Sequence, residues 1–139
     1  MVSLGSNPKL VNDDFFVKKG IDNKKKLYAA LDLGTNSCRM LIARPTGSRF
    51  EIVDAFSKSI RLGLDLERTG QLSQAGIARA LQALHVCAKK LKKFDVKSSR
   101  LVATEACRRS INGKSFLKLV KKETGLNLEL IEPEEEARL

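Results

Sequence analysis

A short polar turn between two apolar runs is the feature that most constrains this chain. The first run, Leu27 to Leu31, leads into Asp32-Leu33-Gly34-Thr35-Asn36-Ser37-Cys38-Arg39, and the second run, Met40 to Ala43, follows it. Two apolar runs joined by small polar residues are typical of two buried strands connected as a hairpin. Taken alone, these eight residues fit an ordinary hairpin turn and a ligand-binding turn equally well.

The residue types in the turn suit a bound phosphate. Gly34 allows a ligand to approach the main chain closely. Successive N–H groups in such a turn can bind an anion, and Thr35, Asn36 and Ser37 add side-chain donors. Asp32 could hold a hydrated metal ion against that anion. Arg39 would add positive charge if strand alternation places it on the correct face.

The charge of the chain favours polyanionic partners. Its 139 residues carry 26 basic and 16 acidic side chains, a formal net charge of +10, and 42% of the residues are hydrophobic. This length and composition indicate one globular domain with a real core. The positive charge suits nucleic acid, polyphosphate, nucleotides or an anionic surface, and it does not choose among them.

The cysteine pattern and the absence of long apolar runs predict where in the cell the protein is located. The three cysteines form no CxxC pair, so the pattern indicates neither a disulfide framework nor a zinc site. We therefore expect a reducing, cytoplasmic location. No apolar run approaches the roughly 18 residues of a membrane span. The N-terminus lacks the apolar core of a signal peptide, and we expect no membrane partner.

Hydrophobic periodicity predicts an α/β fold with the element order βββαβαβ, followed by the start of a helix. The first three strands form an antiparallel meander, and the two complete helices begin at Ser73 and Asn112. The first of these helices carries an apolar stripe of Ile77, Leu81, Leu84, Ala88 and Leu91. Residues 1–26 are expected to be a basic arm, and residues 27–139 a single lobe. Because the sequence stops inside a helix that has just begun, we expect a fragment of a longer protein.

Four stretches resemble the exopolyphosphatase and guanosine pentaphosphate phosphohydrolase (Ppx/GppA) family in order and spacing. They are Asp32 to Met40, Arg61-Leu62-Gly63 with Gly70 to Ser73, Thr104 to Arg108 with Asn112, and Glu134 to Leu139. The resemblance implies the ribonuclease-H-like first lobe of the sugar kinase, heat-shock-chaperone and actin superfamily. The segment after Gly63 departs from the family pattern, which has a second glycine there. We therefore assign no binding role to that loop.

The resemblance also implies roles for individual residues. Gly34, Thr35, Asn36 and Ser37 match the first phosphate turn, and Asp32 matches an acidic residue near the metal. Arg39 and Arg108 match positions that bind phosphate. Glu136 matches the glutamate that orients or deprotonates the attacking water. A carboxylate at a helix N-terminus is stabilised and therefore weakly basic, which favours the orienting role.

The activity implied by the resemblance is hydrolysis of the terminal phosphoanhydride of polyphosphate or guanosine pentaphosphate, with Mg²⁺ as cofactor. The full-length protein would be a homodimer, and a nucleic acid partner is not expected. Family members carry a second acidic, glycine-rich loop and a second lobe after the last matched stretch. Both are absent from this sequence, so we predict little or no activity for the 139 residues alone.

Two other functions remain open at this stage. A non-catalytic module that binds polyphosphate or nucleic acid would account for the positive charge. Such a module has no use for a carboxylate at the phosphate, so Asp32, Arg108 and Glu136 together favour the enzyme. A sugar-kinase-like or actin-like ATPase shares the fold and the Asp-x-Gly turn. Only the stretches around Arg108 and Glu136 argue against that ATPase.

Overall fold

The computed structural model of the protein describes residues 26–138, with side chains through Glu135. The strands are β1 (Tyr28–Leu33), β2 (Ser37–Thr46), β3 (Arg49–Ser59), β4 (Ser98–Ala103) and β5 (Glu129–Leu130). The helices are α1 (Leu66–Thr69), α2 (Gln74–Lys93), α3 (Glu105–Arg109), α4 (Gly113–Thr124) and α5 (Pro133–Arg138). Apart from Lys26, the predicted basic arm lies outside the described residues. Within residues 26–138, no helix is long and apolar enough to cross a membrane.

The five strands form one mixed sheet in the order β3-β2-β1-β4-β5. β1, β2 and β3 are an antiparallel meander, whereas β1 pairs with β4 and β4 with β5 in parallel. The predicted α/β lobe is therefore confirmed, with two short helices, α1 and α3, that the periodicity did not predict. The parallel pairing brings the carboxyl ends of β1, β4 and β5 to one edge of the sheet, where ligand sites of open α/β folds usually lie.

The two faces of the sheet have different environments. Leu31 and Leu33 of β1 and Met40 of β2 are buried in the core that the helices cover. Leu41, on the opposite face, is 47% exposed. Alternation of side chains along a strand explains this division. The open face bears a groove of about 610 Å³ lined by residues of β1 to β4.

Helix α2 packs on the sheet through small residues. The predicted stripe does pack against the core, but among its members only Leu84 is fully buried. The most buried residues of the helix also include Gly76, Ala80, Ala83 and Cys87. Small side chains let the helix approach the sheet closely, which shifts the buried stripe toward them. The Ser73 side chain caps this helix as predicted, accepting from the Gly76 amide at 3.0 Å.

One ion pair lies inside this packing. Asp54 of β3 has a side chain only 1% exposed, and Lys90 Nζ donates to its Oδ2 at 2.8 Å. The Ala55 amide donates to Oδ1 at 2.9 Å. Asp54 pairs with Ile42, beside a register shift between Ile42 and Ala43 of β2. The contact fixes the last turns of α2 to the outer strand of the sheet.

The junction between α3 and α4 uses its polar side chain differently from the prediction. Asn112 is the N-cap of α4, but its side chain makes no capping bond. Asn112 Oδ1 instead accepts from the Leu72 amide at 2.8 Å, and Nδ2 donates to the Leu72 carbonyl at 3.1 Å. The amide side chain thus pairs with Leu72 as a neighbouring strand would. This contact fixes the start of α2 to the α3–α4 junction.

Candidate functional site

The turn between β1 and β2 is closed by its own backbone. The Gly34 amide donates to the Ser37 carbonyl at 2.9 Å, so this N–H is occupied inside the turn. Gly34 was predicted to belong to the phosphate-binding turn, and with its N–H occupied it can serve that turn only through its backbone conformation. Among the described residues, the amides of Thr35 and Asn36 donate to no backbone carbonyl. Those two N–H groups are therefore not used to close the turn.

A loop formed by residues 60–63 holds the carbonyl side of the turn. The Gly63 amide donates to the Thr35 carbonyl at 3.0 Å, and the amides of Ile60 and Arg61 donate to the Asn36 carbonyl at 2.8 and 3.0 Å. All described peptide bonds are trans. In a planar trans peptide the N–H points opposite to the C=O. The N–H groups of Asn36 and Ser37 therefore point away from the loop.

Thr104 joins this turn to the segment after β4. The Thr104 amide donates to the Leu33 carbonyl at 3.1 Å, and its hydroxyl lies 3.4 Å from the same oxygen. Thr104 is only 3% exposed, and a Cβ added to Gly34 would lie 3.8 Å from its Oγ1. Two segments 71 residues apart in sequence are thus in contact at the edge of the sheet.

Arg108 is positioned by the same edge. It lies on α3, whose first turn begins at Thr104, and its amide donates to the Thr104 carbonyl at 3.0 Å. Arg108 Nη1 donates to the Ile131 carbonyl at 2.8 Å, and the side chain is half-buried. Ile131 in turn donates its amide to the Ala103 carbonyl at 3.2 Å. A guanidinium has five donors in a fixed plane, so the bond to Ile131 sets the direction of the others.

The neighbouring Arg109 makes different contacts. It pairs with Glu67 at 2.7 Å and with Glu105 at 3.0 Å. The hydrogen bonds to Glu67 and then Glu105 raise the pKa of Arg109 above its usual value. Its charge is therefore balanced by two carboxylates at the surface, and the family resemblance matches Arg108, not Arg109, to a phosphate-binding position.

Asp32 and Arg39 face each other across the base of the hairpin. They are directly paired residues of β1 and β2, and both are exposed on the open face of the sheet. Together with Arg100 they supply the charged part of the otherwise apolar groove. Arg100 also lies 3.5 Å from Glu135 of α5. The structure thus places Asp32 and Arg39 together, directly beside the 34–37 turn.

Two cysteines pack behind the turn. Cys38 follows Ser37 directly, and its buried thiol faces the buried thiol of Cys87 on α2. The neighbouring thiol lowers the pKa of Cys38, and the Cys38 thiol together with burial raises the pKa of Cys87. The contact ties the start of β2 to the long helix.

The side chains near the turn can be compared with the ligands that Mg²⁺, the cofactor implied by the resemblance, usually takes in proteins. Within residues 26–138, no three His, Cys, Asp or Glu residues are grouped so as to hold a metal ion. Mg²⁺ commonly binds through one or two carboxylates, several waters and substrate phosphates rather than in a protein cage. Asp32 beside the 34–37 turn fits that mode of binding.

Glu136 remains a prediction. It lies in α5, which starts shortly after Ile131, but its side chain lies outside the described part of the chain. The backbone therefore brings the last matched stretch to the same edge as Arg108. Sequence reasoning missed the 60–63 loop, for which it assigned no role. The signal available was the Arg61-Leu62-Gly63 stretch itself.

Comparison with known proteins identifies the family. The model of the Ppx/GppA phosphatase family matches residues 41–139. The chain belongs to this family. The crystal structure of the Aquifex aeolicus Ppx/GppA family member has 35% sequence identity and a TM-score of 0.78, over 81% of this chain and 37% of that one.

Two further crystal structures agree. An exopolyphosphatase-like protein has 31% identity and a TM-score of 0.75, over 81% of this chain and 34% of that one. An exopolyphosphatase from Cytophaga hutchinsonii has 24% identity and a TM-score of 0.77, over 81% of this chain and 36% of that one, and shows the shared fold. This chain spans a little over a third of the length of these relatives. The family model covers Thr104 and Arg108, and the structural matches extend over most of the chain.

Proposed function

We propose that the chain forms one wall of the active-site cleft of a phosphohydrolase that cleaves the terminal phosphoanhydride of inorganic polyphosphate, guanosine pentaphosphate or both. The observation that carries the proposal is the bond from the Thr104 amide to the Leu33 carbonyl. It holds the 34–37 turn beside the helix that bears Arg108. Membership of the Ppx/GppA family supports the phosphatase class, and one structural relative is named an exopolyphosphatase.

In this proposal the turn and Arg108 bind the terminal phosphate. The N–H groups of Asn36 and Ser37 point away from the 60–63 loop and donate to phosphate oxygens. The hydroxyls of Thr35 and Ser37 add two donors, and Arg108 neutralises charge from the side of β5. Preorganised donors of this kind stabilise the charge on the transferred phosphoryl group. Arg39 meets the next phosphate of the chain along the open face.

Asp32 would hold Mg²⁺ at the base of the turn. The ion supplies charge neutralisation and orientation of the phosphates. Glu136 orients the water that attacks the terminal phosphorus. The homodimer and the cytoplasmic location implied by the family resemblance belong to the same proposal.

A matched pair of substitutions tests the phosphate site on this chain. Arg108→Met and Arg109→Met each remove one guanidinium from adjacent positions of α3. Titration with tripolyphosphate and Mg²⁺, followed by amide shifts of the 34–37 turn, measures the affinity. We expect Arg108→Met to weaken binding about tenfold, since a charge-assisted bond is lost. Equal losses in the two variants would show that only net charge matters, which contradicts the proposal.

The net charge of +10 also favours a second candidate, a polyanion-binding module without catalysis. The discriminating variant is Glu136→Gln in a protein that carries this chain together with the remaining length of its relatives. Phosphate release from polyphosphate should be lost while tripolyphosphate affinity stays within about twofold. Undiminished release would remove Glu136 from the mechanism. Absence of release from the unsubstituted protein would favour the module. The 139-residue chain alone is expected to release no phosphate.

A further inference from the structure

Arg79 of α2 reaches the back of the 60–63 loop. Its Nε donates to the Ile60 carbonyl at 2.7 Å, and its Nη2 lies 3.3 Å from the Arg61 carbonyl. The side chain is half-buried. Both contacted carbonyls belong to the residues whose amides donate to Asn36. Arg79 therefore contacts the backbone that holds the 34–37 turn.

The hydrogen bonds form a continuous line through two peptide groups. The Ile60 carbonyl accepts from Arg79, and the N–H of the same peptide belongs to Arg61, which donates to the Asn36 carbonyl at 3.0 Å. The N–H of that second peptide belongs to Ser37. A trans peptide carries its N–H and C=O in opposite directions, so the two peptide dipoles follow one another. A cation at the far end polarises every bond in such a chain.

The loop adopts an unusual backbone to make this arrangement. Arg61 has φ 48, in the left-handed region that residues other than glycine seldom adopt. In this conformation the amides of Ile60 and Arg61 both donate to the carbonyl oxygen of Asn36. The contacts from Arg79 to both neighbouring carbonyls hold the loop in this form.

We propose that Arg79 is a positioning residue for the phosphate site, one that orients the 34–37 turn and polarises the Ser37 amide through the Ile60–Arg61 and Asn36–Ser37 peptides. This inference rests on the proposed function of the turn. Arg79 itself does not touch the phosphate, because the loop lies between them. Its positive charge reaches the ligand through the backbone.

The test compares Arg79→Gln, Arg79→Lys and Arg68→Gln in the 139-residue chain. Arg68 is the control, because its side chain is 73% exposed and its ion pair with Asp65 is a surface contact at 3.5 Å. We expect Arg79→Gln to weaken tripolyphosphate binding about fivefold and Arg79→Lys to restore part of it, while Arg68→Gln changes it less than about twofold. The ligand-free amide proton of Ser37 should shift upfield in Arg79→Gln, shift by a smaller amount in Arg79→Lys, and stay unchanged in Arg68→Gln.

The outcomes separate this inference from the proposed function. No binding by the unsubstituted chain would count against the phosphate site, and the ligand-free Ser37 shift would still test Arg79. Normal binding and an unchanged Ser37 shift in Arg79→Gln would overturn the inference alone. If Arg79→Gln does not fold, Arg79→Lys decides, because lysine keeps the charge but lacks the planar fork whose Nε and Nη2 face the two carbonyls. Arg79→Lys then has to show weaker binding and a shifted Ser37 amide at unchanged thermal stability.

Discussion

Gly63 and Thr35 are in contact through both backbone and side chain. The Gly63 amide donates to the Thr35 carbonyl at 3.0 Å, and a Cβ on Gly63 would lie 2.5 Å from Cγ2 of Thr35. Glycine is required here by the close approach of a neighbouring methyl group rather than by an unusual φ angle. The loop that sequence reasoning left without a role is therefore fitted to the turn.

Gly63→Ala should destabilise the chain by about 1–2 kcal/mol, because the new methyl displaces the Thr35 side chain. It should also weaken tripolyphosphate binding, since the Thr35 hydroxyl moves with that side chain. Thr35→Ser removes Cγ2 and keeps the hydroxyl, so the double variant should recover both properties. Urea unfolding and titration of the two single variants and the double variant form the cycle. Additive effects in that cycle would show that the methyl contact is not the cause.

Gly113 is the second glycine that admits no side chain. A Cβ there would lie 1.9 Å from the Cys107 carbonyl oxygen, a backbone atom of α3 that cannot rotate away. Gly113→Ala is expected to cost about 3 kcal/mol or more of unfolding free energy. Gly125→Ala is the control: Gly125 has φ +82 but no atom within 4 Å of its Cβ position, so only about 1 kcal/mol of backbone strain is expected. Similar losses for the two variants, measured by urea unfolding, would contradict this assignment.

Substitution of Lys90 should lower the free energy of unfolding, because the Asp54 carboxylate is buried. Lys90→Met is expected to destabilise the chain by about 3 kcal/mol, since the pair lies in the core and the carboxylate stays behind. Lys89→Met removes the same charge from the exposed neighbouring position, with an expected change within about 0.5 kcal/mol. Thermal and urea unfolding of both variants measure the difference. If only net charge mattered, the two variants would lose the same unfolding free energy, and that result would contradict the prediction.

Alkaline pH should destabilise the chain partly through Cys107. Burial raises the pKa of this thiol from 9.0 to about 12. Between those values the unfolded chain loses the proton while the folded chain keeps it, so stability is full below about pH 9 and falls as the pH rises toward 12. The contribution of Cys107 to that fall is about 1.4 kcal/mol at pH 10.

Cys107→Ala should remove this part of the pH dependence. Its unfolding free energy is expected to decline less steeply than that of the unsubstituted chain between pH 8 and about pH 10. Val120→Ala, at a fully buried position of α4 without a titrating group, is the control and should be destabilised by the same amount at every pH. Parallel pH profiles for Cys107→Ala and the unsubstituted chain would contradict the role of the thiol.

Local signals in the sequence predicted most of the fold. Alternation predicted the third strand, Arg49–Ser59, with its observed ends. Ser73 caps α2, Pro133 starts α5, and Gly125 ends α4 in the left-handed conformation. Each of these depends on a residue and its near neighbours, which a sequence displays directly.

The features that were missed depend on contacts between distant segments. The Asn112 side chain pairs with Leu72, 40 residues away, instead of capping its own helix. The 60–63 loop is recognisable as part of the site only once it lies against the 34–37 turn. Arg79 was not singled out, because its partners are backbone carbonyls and leave no pattern in the sequence. Arg108 was predicted from a motif, whereas its bond to Ile131 required the structure.

The bond between Thr104 and Leu33 also has a kinetic consequence. The hairpin of β1 and β2 closes over a few residues, so its turn can form early in folding. The contact between Thr104 and Leu33 instead closes a loop of 71 residues that contains β2, β3, α2 and β4. Pairing of segments so far apart in sequence is slow, because the entropy of closing the loop is lost before the contact is gained. The proposed phosphate site is therefore expected to be among the last parts of the chain to become native.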